Sequence, residues 1–328
     1  MLIPRRQLIL FAGAAIGAAA VPRSTWSQPS FPIRPVRVVV PYPAGGTTDV
    51  ITRAVSHALS GMWGQQVIVE NKGGAGTQIG AELVAKSAAD GYTLLATAEA
   101  TFVVNPYLYS KLSYDPNDFM PVSGLGVSRH VLVAHPSVPI RDVSELIALA
   151  KARPGDLNYG TFGAGSSSHL NMAMFESMAG VKLTPVHYRG AAPMLNDLIG
   201  GHIPMAFIGA TLAAQPIKAG QIRALGIGSS KRLAELPDVP TIAEGGLPGF
   251  QAVSWFGVFA PSGTPLDLVT RINADIQKVL ISPEFREKSL DPIYLERIGG
   301  SPEQFADYIK ADAARWSKVI KEAKLSAD

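Results

Sequence analysis

The sequence contains no cysteine in its 328 residues. This absence excludes disulfide bonds, thiolate metal sites and catalysis by a thiol, although it does not assign a cellular compartment. Charged residues make up only 17% of the chain, and the formal net charge of +3 comes from dispersed basic residues. This charge balance gives no indication of nucleic-acid binding. The hydrophobic content of 47% is typical of an ordered globular protein.

The chain also lacks a long apolar run after its N-terminus, so we expect no membrane span there. The N-terminal run, residues 8–21, follows Arg5 and Arg6 and is too short to cross a bilayer comfortably. This arrangement is typical of a secretory signal, and we predict removal of residues 1–27 and a location outside the cytoplasm. The arginine pair is compatible with the Sec route and with twin-arginine export. A retained membrane anchor is the alternative.

Signals of catalysis and of metal binding are weak. The six histidines form neither an H-x-x-x-H nor an H-E-x-x-H spacing, so we predict no metal site and no cofactor. The serines at 166–168 precede His169 without forming a G-x-S-x-G elbow, and neighbouring residues on a helix point in different directions. No carboxylate pair stands out for acid–base work. We therefore predict a binding protein, and an exported serine–histidine hydrolase is the less favoured alternative.

The most informative stretch is residues 36–49, which read VRVVVPYPAGGTTD. Its valine-rich start is typical of a buried strand, and the prolines end the strand because proline cannot donate to a sheet ladder. Gly45 and Gly46 allow a sharp turn, and the three polar residues after them are typical of a helix start. Free amides at a helix N-terminus form an anion site. An ordinary tight strand–helix connection is the alternative.

A second stretch, residues 157–169, repeats this pattern of strand, small-residue loop and hydroxyl-rich helix start. Two such loops facing each other would hold an anion or a dicarboxylate between them. Strands and helices alternate along much of the chain, which predicts parallel sheets covered by helices. From residue 266 onward helices dominate, with Phe305, Tyr308, Ile309 and Trp316 as expected core contacts.

Three glycines, Gly74, Gly76 and Gly80, fall one residue away from the G-x-G-x-x-G spacing of dinucleotide-binding proteins. A single near-match is weak support for such a site. We therefore predict that these glycines serve turns and close approaches of the backbone.

Several segments occur in the order known from one protein family: VRVVVPYPAGGTTD, VIVENKGGAGTQIGAELVAKSAADGYTLL, YGTFGAGSSSHL, GVKLTPVHYRGAAPMLNDLIGG, LPDVPTIAEGGLPGF and GVFAPSGTP. Through them, nearly the whole mature chain resembles the substrate-binding proteins of tripartite tricarboxylate transporters, the Bug-type periplasmic receptors. The resemblance implies an α/β, two-lobe periplasmic-binding-protein fold (Venus flytrap, type II). Each lobe would be a mainly parallel sheet flanked by helices, with residues 28–128 and 256–328 in lobe 1, residues 129–255 in lobe 2, and two hinge crossovers.

The resemblance also implies a function. A periplasmic, monomeric protein would capture a small carboxylate, which could be a di- or tricarboxylate, an aromatic acid or an amino acid. It would deliver this ligand to the large and small membrane subunits of a tripartite transporter. A sensor for a membrane signalling partner is an alternative that the sequence does not separate. The expected ligand-binding residues are Tyr42, Ala44, Gly45, Gly46, Thr47, Thr48, Asp49, Thr97, Ala98, Glu99, Gly165, Ser166, Ser167, Ser168 and Tyr188.

Some positions depart from the family pattern. Glu99 stands where small residues are usual, and His187 stands where proline is frequent. If Glu99 faces the cleft, it would repel a second carboxylate and favour an amine or a hydroxyl on the ligand. Alternatively, Glu99 points to solvent or pairs with a lysine. Asp49 cannot attract an anion by its charge, so we expect it to cap helix amides.

Overall fold

The computed structural model describes residues 31–322. The chain divides after Ile33 into two units, and all elements named below belong to the second unit, which starts at Arg34. The predicted signal peptide, residues 1–27, lies outside the described residues. Within those residues, no helix has both the length and the apolar character needed to cross a membrane.

The strands and helices alternate over much of the described chain. The strands are β1 (Val36–Val40), β2 (Val67–Asn71), β3 (Thr93–Ala98), β4 (Phe119–Ala134), β5 (Asn158–Thr161), β6 (Thr184–His187), β7 (Met205–Gly209), β8 (Arg223–Ile227), β9 (Val253–Pro261) and β10 (Leu295–Glu296). The helices are α1 (Thr47–Trp63), α2 (Gln78–Ala85), α3 (Asn105–Leu108), α4 (Val143–Ala152), α5 (Ser167–Ala179), α6 (Ala191–Ile199), α7 (Ala210–Lys218), α8 (Leu266–Ile281), α9 (Pro283–Phe285) and α10 (Pro302–Glu322).

The strand order is β2-β1-β3-β9-β4-β7-β5-β6, and β8 and β10 pair with β4 outside this path. Strands β2, β1 and β3 form one parallel group, and β7, β5 and β6 form another. Parallel neighbours need crossover connections, which α1, α2, α5 and α6 supply. The α/β class predicted from the sequence, with parallel strands flanked by helices, is confirmed.

Strand β4 connects the two parallel groups. Its first part pairs antiparallel with β9 as far as Arg129, and from His130 onward it pairs with β7 and β8. On the return path, Val253 at the start of β9 lies opposite Arg129, whereas the amide of Ala252 bonds to Gly228 beyond β8. We propose that the chain passes between the two predicted lobes at these two places.

Strand β4 is much longer than the sequence predicted. The residues RHVLVA at positions 129–134 predict a strand only from Arg129 onward, whereas β4 begins at Phe119. The added segment reads FMPVSGLGVS, in which proline, glycine and serine are weak strand formers. Antiparallel pairing with β9 along this segment outweighs those local preferences.

The aromatic core beside β9 also includes the C-terminal helix. Trp255 packs edge-to-face on Phe305 with ring centroids 5.4 Å apart, and Phe259 lies 5.5 Å from the same ring. Phe305 and Trp316 are fully buried in this cluster, and Tyr308 and Ile309 pack against it. These four core contacts predicted for the C-terminal helices are confirmed.

The three glycines near the dinucleotide-binding spacing have structural roles. A Cβ on Gly80 would lie 2.8 Å from the carbonyl oxygen of Lys72 and 2.8 Å from Pro41, so only glycine lets these segments approach. Gly74 and Gly76 have φ values of +126° and +59°. The prediction of turn and close-approach positions is confirmed.

Candidate ligand-binding cleft

Two loops lie at the carboxyl ends of parallel strands, which is where open α/β sheets bind ligands. Loop 1, residues 41–46, connects β1 to α1, and Gly46 is the extended residue just before that helix. Loop 2, residues 162–166, connects β5 to α5, and Ser166 holds the same place before α5. Neither capping residue makes a side-chain cap to its own helix. Each helix N-terminus is therefore preceded by a run of small residues, residues 44–46 in loop 1 and residues 163–166 in loop 2.

Asp49 holds loop 1 in shape. Its carboxylate is only 3% exposed and accepts hydrogen bonds from the amide of Gly45 (3.0 Å), from Arg53 Nε (3.0 Å) and from Asn71 Nδ2 (2.9 Å). Burial acts to raise the pKa of Asp49, but these hydrogen bonds hold it below its ordinary value. The expectation that Asp49 caps helix amides is wrong, because its backbone partner is the loop amide that precedes the capping residue.

The bond from Gly45 to Asp49 leaves the next two amides of loop 1 as candidate donors. Within residues 31–322, the amides of Gly46 and Thr47 donate to no protein acceptor. Both residues are partly exposed, and Ala44 beside them is exposed. By contrast, Thr48 is buried, and its carbonyl accepts from the hydroxyl of Thr52. The amides of Gly46 and Thr47 can therefore meet a ligand, at the positive end of the α1 dipole.

We expect Asp49→Asn to lower the free energy of unfolding by about 1–3 kcal/mol at pH 7, because a charged acceptor of several hydrogen bonds is lost. Since the folded-state pKa of Asp49 is lowered, this stabilisation exists above the unfolded pKa and is lost as pH falls through the folded value. Urea unfolding at pH 7 and pH 3 should show the difference shrinking at low pH. The matched control Asp156→Asn removes an exposed ion pair and should change stability by less than about 1 kcal/mol. Equal losses in both variants would contradict this role.

Loop 2 is held by its own hydroxyls. Ser168 Oγ accepts from the amide of Phe162 (2.8 Å), and Ser166 Oγ donates to the carbonyl of Gly163 (2.7 Å). The amide of Gly165 donates to His169 Nδ1 (3.1 Å). The amide of Ser166 also donates to the carbonyl of Gly163 (3.2 Å), so the amides of Gly165 and Ser166, both expected to meet the ligand, already have protein acceptors. Ser167, the first residue of α5, is partly exposed.

The catalytic pair of Ser166 and His169, which the hydrolase alternative requires, is not formed in this structure. Ser166 Oγ donates to a backbone carbonyl, and His169 Nδ1 accepts from a backbone amide. Burial, together with the neighbouring His187, lowers the pKa of His169 to about 4. A histidine with this low pKa is a weak general base at neutral pH.

The two parallel groups contact each other beside loop 2. Gly165 has a φ of +71°, and a Cβ there would collide with the side chain of Leu108 at the end of α3. Leu170 of α5 belongs to the same buried cluster as Leu108 and Phe102. The start of α5 therefore packs directly on elements that follow β3.

Buried polar side chains lie next to loop 1 at the end of β3. The hydroxyls of Thr97 and Thr101 are 2.6 Å apart, and both residues are fully buried. The hydroxyl of Tyr42 lies beside them, and its pKa is raised by burial and by the nearby Glu99. Ala98, between these positions, is also buried. On the other side of the site, Tyr188 Oη donates to Asp197 (2.6 Å).

Glu99 is 2% exposed, so it neither points to solvent nor pairs with a lysine in this structure. Its Oε1 accepts from Ser254 Oγ (2.8 Å), which lies 2.9 Å from His130 Nε2. The other ring nitrogen, Nδ1, lies 3.0 Å from Asn171 Nδ2. Burial is the main cause that raises the pKa of Glu99 to about 8 and lowers that of His130 to about 4. Both side chains are therefore mainly neutral at pH 7.

These contacts form a hydrogen-bonded chain of four side chains that ends at Glu99. Sequence reasoning missed its other three members, Ser254, His130 and Asn171. One signal was present, because His130 stands inside the apolar segment RHVLVA of a predicted strand. A polar side chain at such a position needs a hydrogen-bonded partner. The identity of the partner could not be read from the sequence.

Comparison with known proteins assigns the family. Residues 51–325 match the family described as the tripartite tricarboxylate transporter family receptor, TctC. The chain belongs to this family. A relative from Pseudomonas sp. (strain P51), the "UPF0065 protein in tcbD-tcbE intergenic region", is 40% identical over 99% of this chain and 96% of its own length.

Solved structures agree with this assignment. "R. palustris Rpa4515 with adipate" is 38% identical, with a TM-score of 0.86 over 90% of this chain and 99% of that chain. The structure of "periplasmic binding protein BugD" is 33% identical, with a TM-score of 0.83 over 90% of this chain and 99% of that chain. MatC from Rhodopseudomonas palustris "with bound malate" is 32% identical, with a TM-score of 0.81 over 88% and 100%. The resemblance to Bug-type receptors is confirmed.

Proposed function

We propose that this receptor binds a small carboxylate between loop 1 and loop 2 in the periplasm and delivers it to a tripartite membrane transporter. Its family consists of receptors of such transporters. Two of its structural neighbours hold adipate and malate, which are both small carboxylates. We further propose that the large and small membrane subunits are its partners and that it acts as a monomer.

The observation that carries this proposal is the pair of amides at the start of α1. The amides of Gly46 and Thr47 donate to no protein acceptor within residues 31–322, and Asp49 holds the loop that presents them. Prearranged amide donors bind an anion without a large ordering cost at the moment of binding. The positive end of the α1 dipole adds a favourable field.

Loop 2 is the proposed opposite wall of this site. The partly exposed Ser167 begins α5, so a ligand held by α1 would meet a second helix N-terminus. A ligand that contacts both loops favours the closed arrangement of the two strand groups, because it stabilises only the state in which both loops reach it. This closed state is what the membrane subunits would recognise.

A thermal-shift screen tests the proposal. Protein from Gln28 onward is mixed with mono-, di- and tricarboxylates, aromatic acids and amino acids. A ligand at about 100 times its Kd should add about 2.7 kcal/mol of stability and raise the melting temperature by several degrees.

The control for each hit is its uncharged amide analogue, such as adipamide for adipate. This analogue keeps the size of the ligand and removes its charge, so it should give no comparable shift. A panel without any carboxylate hit, or equal shifts from acid and amide, would overturn the proposed anion site. Uptake of a hit by vesicles that contain both membrane subunits, but only with the receptor present, would test delivery.

A further inference from the structure

Buried polar atoms without partners are concentrated where β3, β4 and β9 meet. Within residues 31–322, Tyr42 Oη, Glu99 Oε2, Ser128 Oγ and Asn171 Oδ1 lie in this region, whereas Arg315 Nη2 and Trp316 Nε1 lie on α10. Ser128 lies opposite Ser254 in the β4–β9 pair, so it adjoins the hydrogen-bonded chain that ends at Glu99. Native proteins satisfy nearly all of their buried polar groups, so such a cluster calls for a partner that the chain does not supply.

The cluster lies between the carboxyl ends of both parallel groups. Tyr42 follows β1 and Glu99 follows β3, and these neighbouring parallel strands end at one edge. His130 lies opposite Gly209, which is the last residue of β7. Asn171 lies near the start of α5, directly after loop 2. This is the region in which α/β folds bind ligands, next to the two loops of the proposed site.

In the hydrogen-bonded chain from Asn171 to Glu99, each side chain donates to the next one toward Glu99. An amide nitrogen can only donate, so Asn171 Nδ2 donates to His130 Nδ1. The neutral ring then carries its proton on Nε2 and donates to Ser254, whose hydroxyl donates to Glu99 Oε1. Because Oε1 is the acceptor, the proton of the neutral carboxyl lies on the free oxygen, Oε2.

The surroundings keep Glu99 mainly protonated at pH 7. Its pKa is raised to about 8 by burial in the first place, and Asp312 adds to the rise while Arg315 opposes it. Arg315 forms an ion pair with Asp312 at 2.7 Å, so its charge is balanced. The other titratable groups around Glu99 are Tyr42, Tyr308 and, through Ser254, His130.

We propose that Glu99, Tyr42 and Asn171 form an uncharged inner subsite of the cleft, which takes the hydroxyl or carbonyl group of a hydroxy- or oxo-monocarboxylate. This inference rests on the proposed function, because the loops would hold the carboxylate of the same ligand. A hydroxyl or carbonyl oxygen accepts from Glu99 Oε2–H, and Asn171 Oδ1, at the other end of the hydrogen-bonded side chains, is an acceptor for a second donor group. A second carboxylate would be buried without a free cation, which is unfavourable.

Ligands that differ only at one end test the subsite. Titration calorimetry at pH 7 measures the affinity of the protein purified after export. A six-carbon series compares hexanoate, 6-hydroxyhexanoate and adipate, and a four-carbon series compares butyrate, 4-hydroxybutyrate and succinate. At the chain length that binds best, the hydroxy acid should bind at least about tenfold more tightly than the other two ligands, since one good hydrogen bond corresponds to about that factor.

Two variants and a control separate the subsite from a structural role of Glu99. Glu99→Gln keeps an uncharged donor at the position of Oε2 and should retain the hydroxy-acid preference, whereas Glu99→Leu should abolish it. Glu82→Gln is the control, because the partly exposed Glu82 forms a surface ion pair with Lys86 and lies outside the cleft. Circular dichroism confirms that each variant is folded.

The pH profile gives a second readout. From pH 7 to pH 9, binding of the hydroxy acid to the wild type should weaken about tenfold, as the protonated fraction of a group with a pKa near 8 falls from about 0.9 to about 0.1. The Glu99→Gln variant should show a flat profile. The neighbouring titratable groups change protonation outside this pH range. The pKa of Tyr42 is raised, that of Tyr308 is raised to about 12, and that of His130 is lowered to about 4.

Several outcomes would overturn the inference. Tightest binding of adipate or of succinate to the wild type would do so, as would an unchanged preference in Glu99→Leu. If hexanoate and adipate still bind in such a case, the proposed anion site stands and only the inner subsite falls. If no carboxylate of either length binds, both proposals fall together.

Discussion

Replacing Gly46 by valine is expected to weaken carboxylate binding at least about 100-fold while the fold stays intact. The backbone at Gly46, with φ −78° and ψ 167°, is ordinary extended conformation for valine. A Cβ there meets only the carbonyl oxygen of Pro43, at 4.0 Å. The added methyl groups would instead occupy the space in front of the two donor amides. Losing two hydrogen bonds to a charged group, each worth about 1.5–3 kcal/mol, explains the size of the effect.

Titration calorimetry with the best ligand from the screen measures this loss. The matched control is Gly61→Val in the same helix, because a Cβ at Gly61 meets nothing within 4 Å. Gly61→Val should bind normally and change stability by less than about 1 kcal/mol, in the stabilising direction if at all, because valine has a higher helix propensity than glycine. Unchanged affinity in Gly46→Val would disprove the assignment of the anion site to loop 1.

Trp255→Ala is expected to lower the free energy of unfolding by about 3–5 kcal/mol, the usual range for a large aromatic removed from a core. Trp255 is fully buried, and its ring packs against Phe305, Phe259 and Tyr308. Its indole nitrogen also donates to Asp312 of α10 at 2.8 Å. The substitution would therefore leave a cavity and remove a contact between β9 and α10.

Urea unfolding and melting curves of the purified variant test this expectation. With about 2–4 °C per kcal/mol for a chain of this size, the melting temperature should fall by about 10 °C. The control Trp255→Phe keeps most of the ring contacts and loses the donor, so its loss should be clearly smaller. A loss below about 1 kcal/mol in the alanine variant would show that the core beside β9 repacks around the gap.

Several elements of the fold could be predicted because their signals are local, unlike the first half of β4, which depends on pairing with β9. Strand β1, loop 1 and the start of α1 follow from a valine run, two prolines and two glycines that lie next to one another. The burial of Phe305 and Trp316 follows from their spacing on one helix. Strand ends, turns, helix starts and the buried face of a helix are set by residues that lie close together in the sequence.

The role of Asp49 could not be predicted in the same way. Its position at a helix start favours capping, yet its carboxylate bonds to Gly45 and to Asn71, which comes from the end of β2. The pairing of β1 with β2 brings Asn71 to this place. A contact that depends on strand register is invisible to a local rule.

By itself, the sequence determined the α/β class, the family and the two loops that begin α1 and α5, because each is written in contiguous residues. Only the tertiary structure decided the surroundings of Glu99. Its partner Ser254 is 155 positions away, and the next members, His130 and Asn171, come from a different strand and a helix. The packing of these distant segments removes water from the carboxyl group, and this burial, which no single segment encodes, makes it mainly neutral at pH 7.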